Sequence, residues 1–194
     1  RDALLYHGVT LAEVGKVKEG VTQLEKLVAM KDATDSSIDQ SVAYYYLAKI
    51  YDQSSQKEQA IKALRASLKR RPGFSKAALA LADIYFDRKD EKSAFGVMEE
   101  AYRESRSGDL AERMAEIHLE RNEYKSAVPY IETLLEEDPS NENLKLRLSL
   151  VYWQLKWFDK ARLLLSDLME RFPASSEIAF YLGELEVERK DFDG

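Results

Sequence analysis

Six small residues, Gly8, Ala48, Ala82, Ala115, Ser149 and Gly183, stand at intervals of 40, 34, 33, 34 and 34 along the chain. A second set, Gly20, Ala60, Ala94, Ala127 and Ala161, keeps the same step. A period of this length sets one supersecondary unit per repeat. Each unit can bury its apolar face only against its neighbours, so the chain needs no single globular core.

The stretch Ser41 to Phe74 shows what one unit is. Tyr44, Leu47, Ala48 and Tyr51 share one face of a helix, and Ala60, Leu64 and Ser67 share a face of a second. Gln53 to Lys57 is polar and suits a link between antiparallel helices. Pro72 stops the second helix, having no N–H and disfavouring helix in the residue before it. Ala48 and Ala60 let the two backbones approach closely, which larger residues would prevent.

Units of this kind divide the chain into repeats over about 1–40, 41–74, 75–107, 108–141 and 142–175, with a partial sixth over 176–194. The first carries extra polar residues at Lys31–Asp39, read as a surface loop. The third exits through Ser105-Arg106-Ser107-Gly108, with Gly in place of Pro, and Pro129 falls about one turn into the fourth repeat's second helix. The chain opens at Arg1 inside a first helix and stops at Gly194 where a further second helix is due, so it reads as a fragment of a longer array.

The Tyr51 position recurs as Leu11, Tyr85, His118 and Tyr152, and the exit proline as Pro139 and Pro173. With the small residues, this resembles the tetratricopeptide repeat and its W-x2-L-G-x2-Y…A-x3-F…P pattern over essentially the whole chain. The resemblance implies an all-α fold: one right-handed superhelical solenoid of antiparallel helix pairs, about five and a half repeats long. Lys145 stands where that family places a large apolar residue, Glu186 where it places Tyr and Arg106 where it places Pro. The repeat style, with R-P-G exits, is similar to bacterial arrays of envelope biogenesis or secretion.

Chemistry is sparse. There is no cysteine, hence no disulfide or thiolate. His7 and His118 both fall at positions that pack between helices and are read as locally bonded core residues, His118 replacing Tyr. No Gly-rich phosphate loop occurs. The pairs Glu99-Glu100 and Glu136-Glu137 belong on solvated outer faces, and Lys69 to Arg71 complement the carbonyl end of a helix. No enzyme site, metal or cofactor is expected. Net charge is −6 and the pI about 5.2, which argues against a general nucleic-acid binder. No apolar run reaches the roughly 18 residues of a membrane span. A soluble protein of the cytoplasm or periplasm is expected.

The resemblance also implies a concave groove lined by first helices. Carried over by position, its candidates are Leu5, Val9 and Ala12, then Tyr45, Lys49 and Asp52, then Leu79, Asp83 and Phe86. They continue as Glu112, Glu116 and Leu119, then Leu146, Leu150 and Trp153, then Phe180, Glu184 and Val187. Acids lie in the middle and aromatic residues toward the C-terminal end. Of the Lys, Asn and Arg set used by relatives that hold chaperone tails, only Lys49 is present. The expected function is a non-enzymatic scaffold that holds a protein segment with basic and bulky apolar residues. One alternative is a self-association module acting through the uncapped C-terminal end. Another is the docking part of an enzyme whose catalytic domain lies elsewhere.

Overall fold

The structure, a computed structural model, describes residues 2–30 and 40–193; the Lys31–Asp39 stretch lies outside it. Among the described residues there are eleven α-helices and no strand. They form two compact units, residues 1–110 and 111–194. The first unit holds α1 (Asp2–Glu13), α2 (Val17–Ala29), α3 (Gln40–Gln53), α4 (Lys57–Arg70), α5 (Ser75–Asp87) and α6 (Glu91–Ser105). It ends in the first residues of α7 (Gly108–Glu120). The second holds the rest of α7, α8 (Tyr124–Glu137), α9 (Glu142–Gln154), α10 (Phe158–Arg171) and α11 (Ser176–Asp193).

The close approach of paired helices is visible at Gly8 and Gly20. A Cβ on Gly20 would lie 2.6 Å from the Gly8 carbonyl oxygen and 3.0 Å from the Ala12 nitrogen. The equivalent pairs Ala48/Ala60, Ala82/Ala94, Ala115/Ala127 and Ser149/Ala161 are all buried. Around them the first unit buries Leu24, Leu47, Leu64, Leu81 and Met98. The second buries Ile131, Leu148, Leu165, Leu168 and Leu185.

Turns between paired helices repeat with the same step. Gly15, Ser55, Lys89, Asn122 and Lys156 all have positive φ, between 59° and 86°. In each turn the following N–H reaches five residues back: Gln56 to the Tyr51 carbonyl at 2.8 Å, Asp90 to Tyr85 at 2.9 Å, Trp157 to Tyr152 at 2.9 Å. This is the Schellman closure, which satisfies carbonyls that the helix end leaves open. A residue with a Cβ takes the left-handed conformation at about 1–2 kcal/mol. Exits from second helices use a different device. The Arg71, Asp138 and Phe172 carbonyls accept from Phe74, Asn141 and Ser175, with Pro72, Pro139 and Pro173 at the second turn position. There proline's fixed φ suits the turn.

Several positions depart from expectation. The third repeat's exit bends at Arg106, not at its glycine: Arg106 has φ 51° and ψ 28°, and Gly108 already opens α7. His118 is a packed residue, its Nδ1 2.7 Å from Glu123 and its ring stacked on Tyr130. His7, by contrast, is exposed rather than core, because its neighbour Gly8 takes the buried face of α1. Gly183 is likewise exposed and a Cβ there would meet nothing. No second helix follows it in the described chain, and α11 continues as one helix to Asp193. Pro129 does not end α8, which runs on to Glu137.

In the second, third and fifth repeats the Tyr position ties the repeat to the second helix before it. Tyr51 donates to Glu25 at 3.1 Å, Arg65 donates to the Tyr85 hydroxyl at 2.7 Å, and Tyr152 donates to Glu132 at 2.6 Å. Glu186 keeps the tie by accepting from Arg162 at 2.9 Å. Lys145 is accommodated in a similar way, since its half-buried ammonium is paired with Asp167.

Glycine-to-alanine substitutions should therefore have opposite signs at two places. Gly20→Ala should destabilise by about 1–3 kcal/mol, because the added carbon meets backbone that cannot swing aside. Gly96→Ala should stabilise by up to about 1 kcal/mol, because Gly96 is a helix-interior glycine whose Cβ would meet nothing. Urea midpoints of the two variants and the parent check this.

Candidate protein-binding faces

In the first unit, the first helices line two recesses. One of about 230 Å³ is bounded by Tyr45, Lys49 and Asp52 of α3, Lys57 and Leu64 of α4, and Ala80, Asp83 and Asp87 of α5. The other, about 270 Å³, is bounded by Val9, Ala12 and Glu13 of α1 and Tyr46, Lys49 and Gln53 of α3. Lys49 is exposed and stands on the rim of both. Lys57 bridges Asp52 at 2.8 Å and Asp87 at 3.3 Å. Those carboxylates, the Asp52 hydrogen bond first, hold its ammonium above the ordinary lysine value.

Not every candidate on this face opens into these recesses. Tyr45 does, while its ring also packs edge-on against Phe74 at 5.5 Å. Leu79 and Phe86 do not; Phe86 packs on Phe95 of its own repeat, ring centres 5.9 Å apart. Leu5, half-buried, packs on the cluster of Leu27 and Ala43. Lys57 and Asp87 were missed by position counting. They sit at helix ends, where the turn, not the helical period, sets direction.

In the second unit, Glu112 is exposed, and Glu116 lies 3.7 Å from Arg113. Leu119 and Leu146 pack against the core, and Leu150 is half-buried. Trp153 is not a free anchor. Its indole donates to Glu188 at 3.0 Å, and its ring meets Tyr181 edge-on at 6.2 Å. Lys156 reaches the same Glu188 oxygen at 2.7 Å. The groove candidates on α11 are all open: Phe180, 60% exposed, Val187, 59% exposed, and Glu184 between them.

Among the described residues no three His, Asp or Glu side chains converge as metal ligands. Glu99, Glu100, Glu136 and Glu137 are all exposed. No described helix is long and apolar enough to cross a membrane.

The Trp153–Glu188 contact has a pH dependence of known sign. The Lys156 ammonium first, and then the Trp153 indole, hold the Glu188 carboxyl below the ordinary glutamate value. A carboxyl depressed in the folded state lends stability above its unfolded pKa and loses it as pH falls through the folded one. The Trp153 indole N–H resonance should therefore hold steady from neutral pH downward and move only on the acid side of the ordinary glutamate range. In Glu188→Gln that acid-side movement should be absent. NMR titration of both proteins reads it directly.

Two models described as tetratricopeptide repeat match residues 45–109 and 118–182. No curated protein matches the chain in sequence. Among solved structures, Naa15/Naa10 bound to HypK-THB is similar with TM-score 0.73 and 16% identity, over 99% of this chain and 29% of that one. MamA from AMB-1 is similar with TM-score 0.54 and 18% identity, over 91% and 94% of the two chains. YrrB, described as a TPR protein with an unusual peptide-binding site, gives 0.52 and 13%, over 93% and 90%. Identities this low carry the fold alone. With the repeat period, the paired helices and the two matching models together, the chain belongs to the tetratricopeptide-repeat family, whose fold serves as a scaffold for protein–protein interaction.

Proposed function

We propose that the protein is a non-enzymatic scaffold that holds a protein segment on its first-helix face, through the two recesses that share Lys49. The observation that carries this reading is their composition. Each combines half-buried apolar surface with a few charged groups at the rim, as sites that fix a ligand's register do. Tyr45 and Tyr46 offer aromatic walls, and Asp83 offers a carboxylate to a basic residue of the ligand. The favoured ligand is a segment with Lys or Arg near its centre and a bulky apolar residue beside it. Aromatic walls carry most of such binding energy, and rim charges govern approach and salt sensitivity. The peptide-binding site described for YrrB is in keeping with this reading.

Partners captured from the source organism's extract by the parent protein give the test. Tyr45→Ala should raise the off-rate of a captured partner at least about tenfold. Asp83→Lys should slow association and flatten its salt dependence. A partner retained equally by both variants places binding elsewhere.

A second reading, self-association, rests on α11. Phe180, Gly183 and Val187 lie along one exposed side of that helix. A second copy could cover it. Sedimentation velocity over a wide concentration range should then show dimer formation, abolished by Phe180→Ser with Val187→Glu. A parent that stays monomeric throughout removes this reading.

A further inference from the structure

A further recess of the first unit, about 560 Å³, lies on the other side of α5 from the one that Asp83 faces. Asp83 and Ala80 face the first recess, while Leu81 and Tyr85 form the floor of this one. Its walls are second helices: Arg65, Leu68 and Lys69 of α4, and Ser93, Gly96, Val97 and Glu100 of α6. Pro72 closes one end.

Two observations give the groove a purpose. Gly96 lies inside α6, where glycine weakens a helix relative to alanine. Nothing lies within 4 Å of the Cβ it lacks, so packing does not require it. The same repeat position holds Thr22, Lys62, Pro129 and Leu163, any of which would narrow the wall. The bare backbone at Gly96 is what keeps this groove open between its two walls.

The second observation is charge. Lys69 on one wall and Glu100 on the other are both exposed, and among the described residues neither has an ion pair or hydrogen bond. Arg65, also on the Lys69 wall, is anchored by its bond to the Tyr85 hydroxyl at 2.7 Å. The groove thus sets apolar side chains, Leu68, Leu81 and Val97, beside a charged edge on which two cations, Arg65 and Lys69, face one anion, Glu100. An apolar cleft of this size with a few oriented charges is built for a side-chain-bearing ligand rather than for water.

We propose that this groove is a second docking surface, separate from the first-helix face. Its occupant is a segment of a partner protein that sets a bulky apolar side chain beside Gly96 and a carboxylate against Lys69 and Arg65. The apolar residue supplies the affinity, and the carboxylate fixes which way the segment runs.

Selection of a phage-displayed library of random linear peptides on the full chain tests this. Enriched sequences should join Leu, Phe, Met or Trp to a nearby Asp or Glu. Synthetic peptides of those sequences should bind Gly96→Leu and Lys69→Glu at least about tenfold more weakly than the parent by fluorescence anisotropy, a difference well above measurement error. They should bind Asp83→Lys as the parent does. Gly96→Leu should melt no lower than the parent, since leucine favours helix; Lys69 is exposed, so Lys69→Glu reads the groove even if Gly96→Leu does not fold. No enriched sequence, or enriched peptides that ignore both groove variants, would overturn the proposal. Peptides sensitive to Asp83→Lys alone would overturn it too, and would leave the first-helix face standing.

Discussion

Each repeat depends on two helix backbones meeting where side chains are smallest. At Gly8 and Gly20 the approach leaves no space even for a Cβ, and in the later repeats alanine or serine fills the same place at full burial. Everything larger is arranged around that contact. Leucines and a methionine fill the space on either side of it, since packing there tolerates neither voids nor excess volume. Because the contact recurs, the chain builds its interior from many similar local contacts rather than one centre.

Backbone hydrogen bonding sets the rest of the repeat. Within a pair, a left-handed residue and a Schellman closure reverse the chain; between pairs, a proline turn does so. The left-handed residue is glycine only at Gly15, so the other repeats carry local strain that helix packing offsets. Polar ties from the Tyr position to the preceding second helix add direction. They survive as an Arg–Glu pair where Tyr gives way to Glu186. Most of these groups are partly exposed, so their value lies in register more than in stability.

The third repeat shows how this architecture makes surfaces. Residues two apart on α5 point to opposite sides: Asp83 into a recess among first helices, Leu81 and Tyr85 into a groove between second helices. A helix wedged between two layers exposes a different edge to each, and the repeat period decides which residue appears where. Small side chains at the packing position and at Gly96 have different consequences for this reason. The first closes a contact; the second leaves one open.

The period, the helix pairs, the small-residue contact and the proline exits could all be read from the sequence, because each depends on residues close together in the chain. So could the packing of His118, since its neighbours recur at known spacing. What the sequence could not give lay in directions set by neighbours far along the chain. Trp153 reads as an exposed anchor by position, yet Glu188 and Tyr181, some thirty residues later, claim its indole and its ring. His7 reads as packed, yet the tight Gly8–Gly20 contact turns it outward. Apart from Gly15 and Asn122, the left-handed turns within pairs fall on Ser55, Lys89 and Lys156, residues with no strong local preference to announce them. Repetition in the sequence determined that the chain builds paired helices and where they break. Which charges remain unpaired and which aromatic rings remain open was decided only when the repeats packed, because burial is a property of neighbours rather than of the residue itself.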